Sequence, residues 1–176
     1  MKKKVTYLYS FERGRAHYNA SEYAKALKFF ESAYQLEPNN ENIERLFVNT
    51  LALKLNADNN PEKAYSELER YKIQFPILIN DIMFKSLLVN NYLLQFAMAF
   101  DDGNEGRGIR YKSLFEEYFE EGLMIPESNL GRAYSLAAVY YFKKGHSSKS
   151  RVILNEGLKY DPDNHELLTR KRLIAK

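Results

Sequence analysis

The chain of 176 residues contains no cysteine, no tryptophan and no long uninterrupted apolar run. Without cysteine it forms no disulfide, uses no thiolate nucleophile and holds no zinc or iron–sulfur cluster through cysteine. The longest mainly apolar stretch, residues 77–100, is broken by seven polar residues and is too polar for a membrane helix. Glu12 and Arg13 interrupt the start before the apolar core of a signal peptide forms. We therefore expect a cytoplasmic protein that does not span a membrane.

Apolar residues make up 45% of the chain and aromatic residues 14%, which is enough to build a core and excludes a wholly disordered chain. Charge, by contrast, is concentrated at the two ends. The net charge is +3, but residues 1–15 carry +4 and residues 165–176 carry +3, so the body is acidic. A nucleic-acid binder is expected to carry a basic stripe along its body. The charge pattern favours solvated basic ends and makes nucleic acid an unlikely partner.

Four amphipathic segments end alike, each at a proline. These prolines are Pro38, Pro76, Pro126 and Pro162, separated by 38, 50 and 36 residues. Because proline does not continue a helix, each marks a boundary. Between them apolar residues recur every three or four positions, and no strand alternation is sustained. The pattern predicts an all-α fold of nine helices, in four pairs plus a final helix from residue 165.

The first period contains a recognisable arrangement of small and large residues. Gly14 and Ala26 are small enough for two helices to approach closely, while Tyr23 and Phe30 fill the space beside them. Ser21 is the expected N-cap of the second helix. This pattern, with Ala33 and Pro38, resembles the tetratricopeptide repeat.

The resemblance extends along nearly the whole chain. It is good over residues 7–40 and 131–164 and degenerate over about 45–78 and 79–126, with a capping helix over 165–176. In the second period, residues 41–44 are extra and are expected to lengthen its first helix. The resemblance implies one domain over residues 1–176, a right-handed α-solenoid of about four antiparallel helix pairs plus the cap.

The third period is the weakest. Three glycines lie between Asp101 and Arg110, and we expect this segment to be a flexible connection between a helix at 79–100 and a helix at 111–124. Contact with a partner is the alternative. Calcium is not expected, because Lys112 stands where a calcium-binding loop starting at Asp101 needs its final glutamate.

The sequence gives little support for catalysis. His17, His146 and His165 are scattered and form no zinc-binding pair. There is no nucleophile elbow and no phosphate-binding loop, and the acidic pairs at 116–117 and 120–121 are typical of a solvated helix face. We expect no enzyme activity, no cofactor and no metal.

The family that the chain resembles uses the first helix of each pair to line a concave groove for a peptide or a helix of another protein. That resemblance implies a protein-binding scaffold or adaptor. The groove positions that it implies are Leu8, Phe11, Arg15, Tyr18 and Asn19 in the first repeat, Leu46, Asn49, Leu53, Asn56 and Ala57 in the second, Asn90, Asn91 and Gln95 in the third, and Arg132, Ser135, Val139, Phe142 and Lys143 in the last.

Two other interpretations stay open. The main alternative is a structural protein that associates with itself through exposed end faces and forms a homo-oligomer without a peptide ligand. RNA binding through the basic ends is a weaker one. The subtype that holds the C-terminal carboxylate of heat-shock chaperones is not matched, because Phe11 and Arg15 stand where that clamp has lysine and asparagine.

Overall fold

The computed structural model describes residues 2–174, with side chains from residue 6 onward. Within that range the chain forms nine α-helices and one 3-10 helix and contains no strand, so the all-α prediction is confirmed. The helices are α1 (Lys2–Asn19), α2 (Tyr23–Leu36), α3 (Glu41–Asp58), α4 (Pro61–Gln74), α5 (Ile82–Asp101), α6 (Glu105–Tyr118), α7 (Glu127–Lys143), α8 (Ser147–Tyr160) and α9 (His165–Ile174), and the 3-10 helix is Pro76–Asn80.

Short polar side chains begin several of these helices. The side-chain oxygens of Asn40, Asp81 and Asn104 each accept a hydrogen bond from a backbone N–H in the first turn of α3, α5 and α6. The N-cap expected at Ser21 is wrong. Glu22 precedes α2, and Ser21 lies one residue earlier in the left-handed region with φ of 57°. Residues 41–44 do belong to α3, as expected.

The close approach expected between the first two helices is present. A Cβ atom placed on Gly14 would lie 2.7 Å from the Phe30 ring, so only glycine fits at this point of α1. Phe30 and Ala26 are completely buried on α2. The small-beside-large pattern of the sequence therefore describes real packing between α1 and α2.

The chain divides into two compact units, the first ending at Asn60 and the second beginning at Pro61. In the first unit, α2 packs against both α1 and α3. The Tyr34 ring on α2 stacks on the Phe47 ring of α3 at 5.5 Å between centroids, and both side chains are fully buried.

In the second unit the helices pack in succession. Helix α5 packs against α4, α6 and α7, and α8 packs on α7. Twelve of the 20 residues of α5 are buried, which makes it the centre of this unit. Helix α9 packs on both α7 and α8 and buries Leu167 and Ile174, so it covers the last helix pair as the sequence predicted.

The segment 101–110 is not the flexible connection that its glycines suggested. Helix α6 begins at Glu105 and ends at Tyr118, so the link after α5 is only three residues long and the helix predicted at 111–124 is displaced. Gly108 lies inside α6, where an added Cβ would be 2.3 Å from the Phe100 ring of α5. Glycine in this segment allows two helices to pack closely instead of making the backbone mobile.

Candidate functional site

In the first unit, the aromatic groove candidates pack against neighbouring side chains. Phe11 is half-buried and its ring lies 6.0 Å from that of Phe30. The exposed Arg15 covers the Phe11 ring at 5.9 Å and forms an ion pair with Glu12 at 3.1 Å. These contacts leave Phe11 and Arg15 partly accessible but already engaged within α1 and α2.

The next two candidates lie at the end of α1. Tyr18 is half-buried and makes an edge contact with Tyr23, with 6.0 Å between ring centroids. Asn19 is exposed and is the last residue of the helix. Tyr18 therefore presents part of its ring to solvent beside a polar turn.

Helix α3 offers the freest polar groups of the predicted set. Leu46, Asn49, Leu53 and Asn56 fall within an 80° sector of the helix, and all but the exposed Asn56 are half-buried. Among the described residues, no side chain or backbone group forms a hydrogen bond with either amide. An amide with free donors and acceptors on a helix surface is suited to binding an extended backbone.

In the second unit, Asn90 faces the neighbouring helix pair. Asn129 Nδ2 on α7 donates a 2.8 Å hydrogen bond to Asn90 Oδ1 on α5. The other two α5 candidates do not share this face. Asn91 and Gln95 are buried, where Asn91 Nδ2 donates to the Pro61 carbonyl and Gln95 Oε1 accepts from Arg107.

A stripe of accessible residues runs along α5 on the Asn90 side. It is half-buried throughout, whereas most of the rest of the helix is buried. Its members recur every three or four residues and so lie on one side of the helix. A second stripe, of half-buried and exposed residues, runs along α7, which packs beside α5. We call these ten residues the α5–α7 face: Met83, Leu87, Asn90, Leu94 and Met98 on α5, and Asn129, Arg132, Leu136, Val139 and Lys143 on α7.

The α5–α7 face combines amides, cations and apolar side chains. Four of the predicted groove residues, Asn90, Arg132, Val139 and Lys143, lie on it, and the exposed Phe142 lies beside it. Sequence reasoning missed its methionines and leucines. Their spacing is a signal in principle, but α5 is apolar on nearly every side, so the sequence does not separate the accessible stripe from the core.

Ser135, another groove candidate, is covered by the cap. It is buried on α7, and Arg170 Nε of α9 donates a 3.1 Å hydrogen bond to its hydroxyl. The cap therefore replaces solvent at this position and brings a guanidinium group to the edge of the α5–α7 face.

The glycine-rich link is anchored by charge. Glu105, the first residue of α6, accepts hydrogen bonds from Lys149 at 2.8 Å and from the Tyr141 hydroxyl at 2.9 Å. These bonds, that of Lys149 first, hold the pKa of the Glu105 carboxyl below its ordinary value. The start of α6 is thus tied to α7 and α8.

A cavity of about 300 Å³ lies in the second unit between the α6–α7 connection and the end of α8. Phe119 and Tyr160 line it, together with carboxylates that include Glu120 and Asp161. Glu120 is bound to Lys85, and Asp161 accepts a hydrogen bond from Asn164. None of the predicted groove residues lines this cavity.

Neither metal binding nor membrane insertion is indicated in the part of the chain that the structure describes. Over residues 2–174, no group of three histidine, aspartate or glutamate side chains is arranged to hold a metal ion. No helix in that range is long and apolar enough to span a bilayer.

Comparison with known proteins supports the resemblance over the first helix pair. Curated proteins and solved structures give no match to the chain. Residues 7–40, which comprise most of α1, all of α2 and the turn after it, match the family described as Tetratricopeptide repeat. Such repeats indicate a protein–protein interaction scaffold in general. The family suggested by Gly14, Phe30 and Pro38 is therefore supported, and the first helix pair is similar to a tetratricopeptide repeat.

Proposed function

We propose that this chain is a non-enzymatic scaffold that binds a peptide or a helix of a partner protein on the accessible faces of its repeat helices. The observation that carries the proposal is the α5–α7 face. Leu87, Leu94 and Leu136 offer apolar contact, and the methionines Met83 and Met98 adapt their shape to different ligands. Asn90 and Asn129 add polar groups that fix orientation.

The residues Leu46, Asn49, Leu53 and Asn56 form a stripe along α3, and this α3 stripe supports the same function in the first unit. Its two free amides, Asn49 and Asn56, alternate with the half-buried Leu46 and Leu53. An extended peptide needs both backbone hydrogen bonds and apolar pockets for its side chains, and this stripe offers both.

A display selection with a random peptide library tests the proposal. Leu94→Asp places a charge at the centre of the α5–α7 face, and Ile109→Asp makes a matched change at an exposed isoleucine of α6. We expect the wild type and Ile109→Asp to enrich the same peptides and Leu94→Asp to lose them. Circular dichroism checks that all three proteins are folded. Peptides enriched equally by all three would show that ligands bind elsewhere.

Self-association is the second candidate, favoured by one observation. Leu8 is 46% exposed and Tyr9 is 62% exposed on α1, at an end of the first unit. On α9 the exposed residues are mostly polar, with Leu173 as an exception. Light scattering at increasing protein concentration tests it, and a Tyr9→Glu variant should remain monomeric where the wild type forms larger species.

A further inference from the structure

In the second unit, acidic and basic residues are concentrated in different parts of the chain. Residues 61–130 contain seven lysines and arginines against twelve acidic residues, whereas residues 131–174 contain nine against four. In the acidic part, Lys72, Lys85 and Lys112 are held in ion pairs. Arg132 and Lys143 on α7 form no ion pair with any residue that the structure describes. The α7 side of the α5–α7 face therefore carries positive charge that no acidic residue of the described range neutralises.

Two cations of the basic part, Arg132 and Arg170, lie near the contact between α7 and the cap. Arg170 of α9 is held by Ser135, and Arg132 lies three residues before Ser135 on the same side of α7. Residues with this spacing have Cβ atoms about 5–6 Å apart. Nε of Arg170 is used by Ser135, which leaves the terminal nitrogens of its guanidinium for a ligand. Glu166, one turn before Arg170, makes no ion pair with it among the described residues.

The surface beside this pair is apolar. Leu136 and Val139 follow Arg132 along the α7 stripe, and Leu94 lies on the neighbouring α5 stripe. The α5 stripe carries no lysine or arginine, and Asp101 continues it at the end of the helix. A ligand that fits this surface has an anionic group at the α7–α9 contact and apolar side chains next to it.

We propose that Arg132 and Arg170 bind the carboxylates of an acidic segment in the partner protein, with neighbouring apolar side chains of that segment on Leu136 and Val139. This inference rests on the proposed function and names the chemistry of its ligand. Guanidinium groups bind carboxylates through paired hydrogen bonds, which gives geometric selectivity as well as attraction.

A nucleic acid fits the same surface less well. A nucleic-acid strand carries a phosphate at every step and is bound by cations along its length together with stacked aromatic rings. Here the positive charge is confined to the α7 side, and leucine, valine and methionine fill the rest of the face. The surface therefore matches an acidic and apolar peptide.

The test compares peptides selected from a random display library by three proteins. Arg132→Glu reverses the charge at an exposed residue, and Lys159→Glu makes the same change at an exposed lysine of α8 with no ion pair. We expect the wild type and Lys159→Glu to enrich peptides rich in aspartate and glutamate. For a peptide so selected, Arg132→Glu should weaken binding by about tenfold or more, the usual effect of losing a charged hydrogen bond.

Ser135→Ala separates the role of Arg170 from that of Arg132. The substitution releases the Arg170 guanidinium without changing the charge of the protein. It should weaken binding of the selected peptide less than Arg132→Glu does. An acidic preference that survives in Arg132→Glu would overturn this inference and leave the proposed function standing. No enrichment by the wild type would overturn both. The wild type could also bind a ten-nucleotide oligouridylate more tightly than any selected peptide and lose that binding in Arg132→Glu. That result would show that the surface binds nucleic acid and not an acidic peptide.

Discussion

Two glycines in α6, two positions apart, should respond to alanine in opposite directions. A Cβ atom on Gly108 would lie 2.3 Å and 2.5 Å from two carbons of the Phe100 ring. A Cβ atom on Gly106 would meet nothing nearer than the Asn104 side chain at 4.0 Å. The substitution is chemically identical, so the difference between the two sites isolates the contact between α5 and α6.

The magnitudes follow from packing and from helix propensity. Alanine in place of glycine favours a helix by up to about 1 kcal/mol, so Gly106→Ala should raise the free energy of unfolding. At Gly108 the same gain is opposed by overpacking, which costs about 1–3 kcal/mol. The Phe100 ring has little room to move, because Phe96, Tyr140 and Tyr141 lie within 5.3–5.6 Å of it. We expect Gly108→Ala to destabilise the protein by about 1 kcal/mol.

Urea unfolding followed by circular dichroism measures both variants. A change of 1 kcal/mol moves the midpoint by about 0.5 M at the slopes usual for domains of this size. Phe100→Leu should reduce the cost of Gly108→Ala, because the smaller side chain leaves room for the added methyl group. If Gly108→Ala raised the midpoint as much as Gly106→Ala does, the close packing of α5 against α6 at this point would be wrong.

Two further predictions concern the cap and the start of α6. Asn164→Ala removes the acceptor for Leu167 N and the donor to the Glu127 carbonyl. It should therefore lower the free energy of unfolding, measured in urea, by about 1–2 kcal/mol. Asn155→Ala, the control at an exposed residue of α8, should change that free energy little. The pKa of Glu105 is lowered below 4.5 in the folded chain, so its stabilising effect is present above pH 4.5 and is lost as the pH falls through the lower folded value. In the Glu105→Gln variant, the free energy of unfolding should therefore fall less steeply as the pH is lowered. An unchanged pH profile would show that the bonds of Glu105 to Lys149 and Tyr141 do not stabilise the fold.

Helix number and the boundaries set by proline were readable from the sequence because both depend on local chemistry. Pro38 and Pro162 lie in the turns after α2 and α8, and the spacing of small and large residues in the first period matches the packing of Gly14 on Phe30. The prediction for the third period was wrong for a physical reason. Glycine destabilises a helix when considered alone, and the benefit of Gly108 appears only when Phe100, eight residues earlier, packs against it.

The candidate site was less readable, because the sequence separates what the fold brings together. Ser135 was placed in the groove by position, yet Arg170, 35 residues later, covers it. The basic residues of α9 suit the negative end of the helix dipole, which accounts for their charge but not for the direction of any one side chain. A helix dipole attracts any cation in the last turn, whereas the hydrogen bond from Arg170 to Ser135 fixes one guanidinium at a position three residues along α7 from Arg132. The cap thus covers the apolar end of the last pair and also places a cation at the edge of the α5–α7 face, and this second role becomes visible only once α9 is packed on α7.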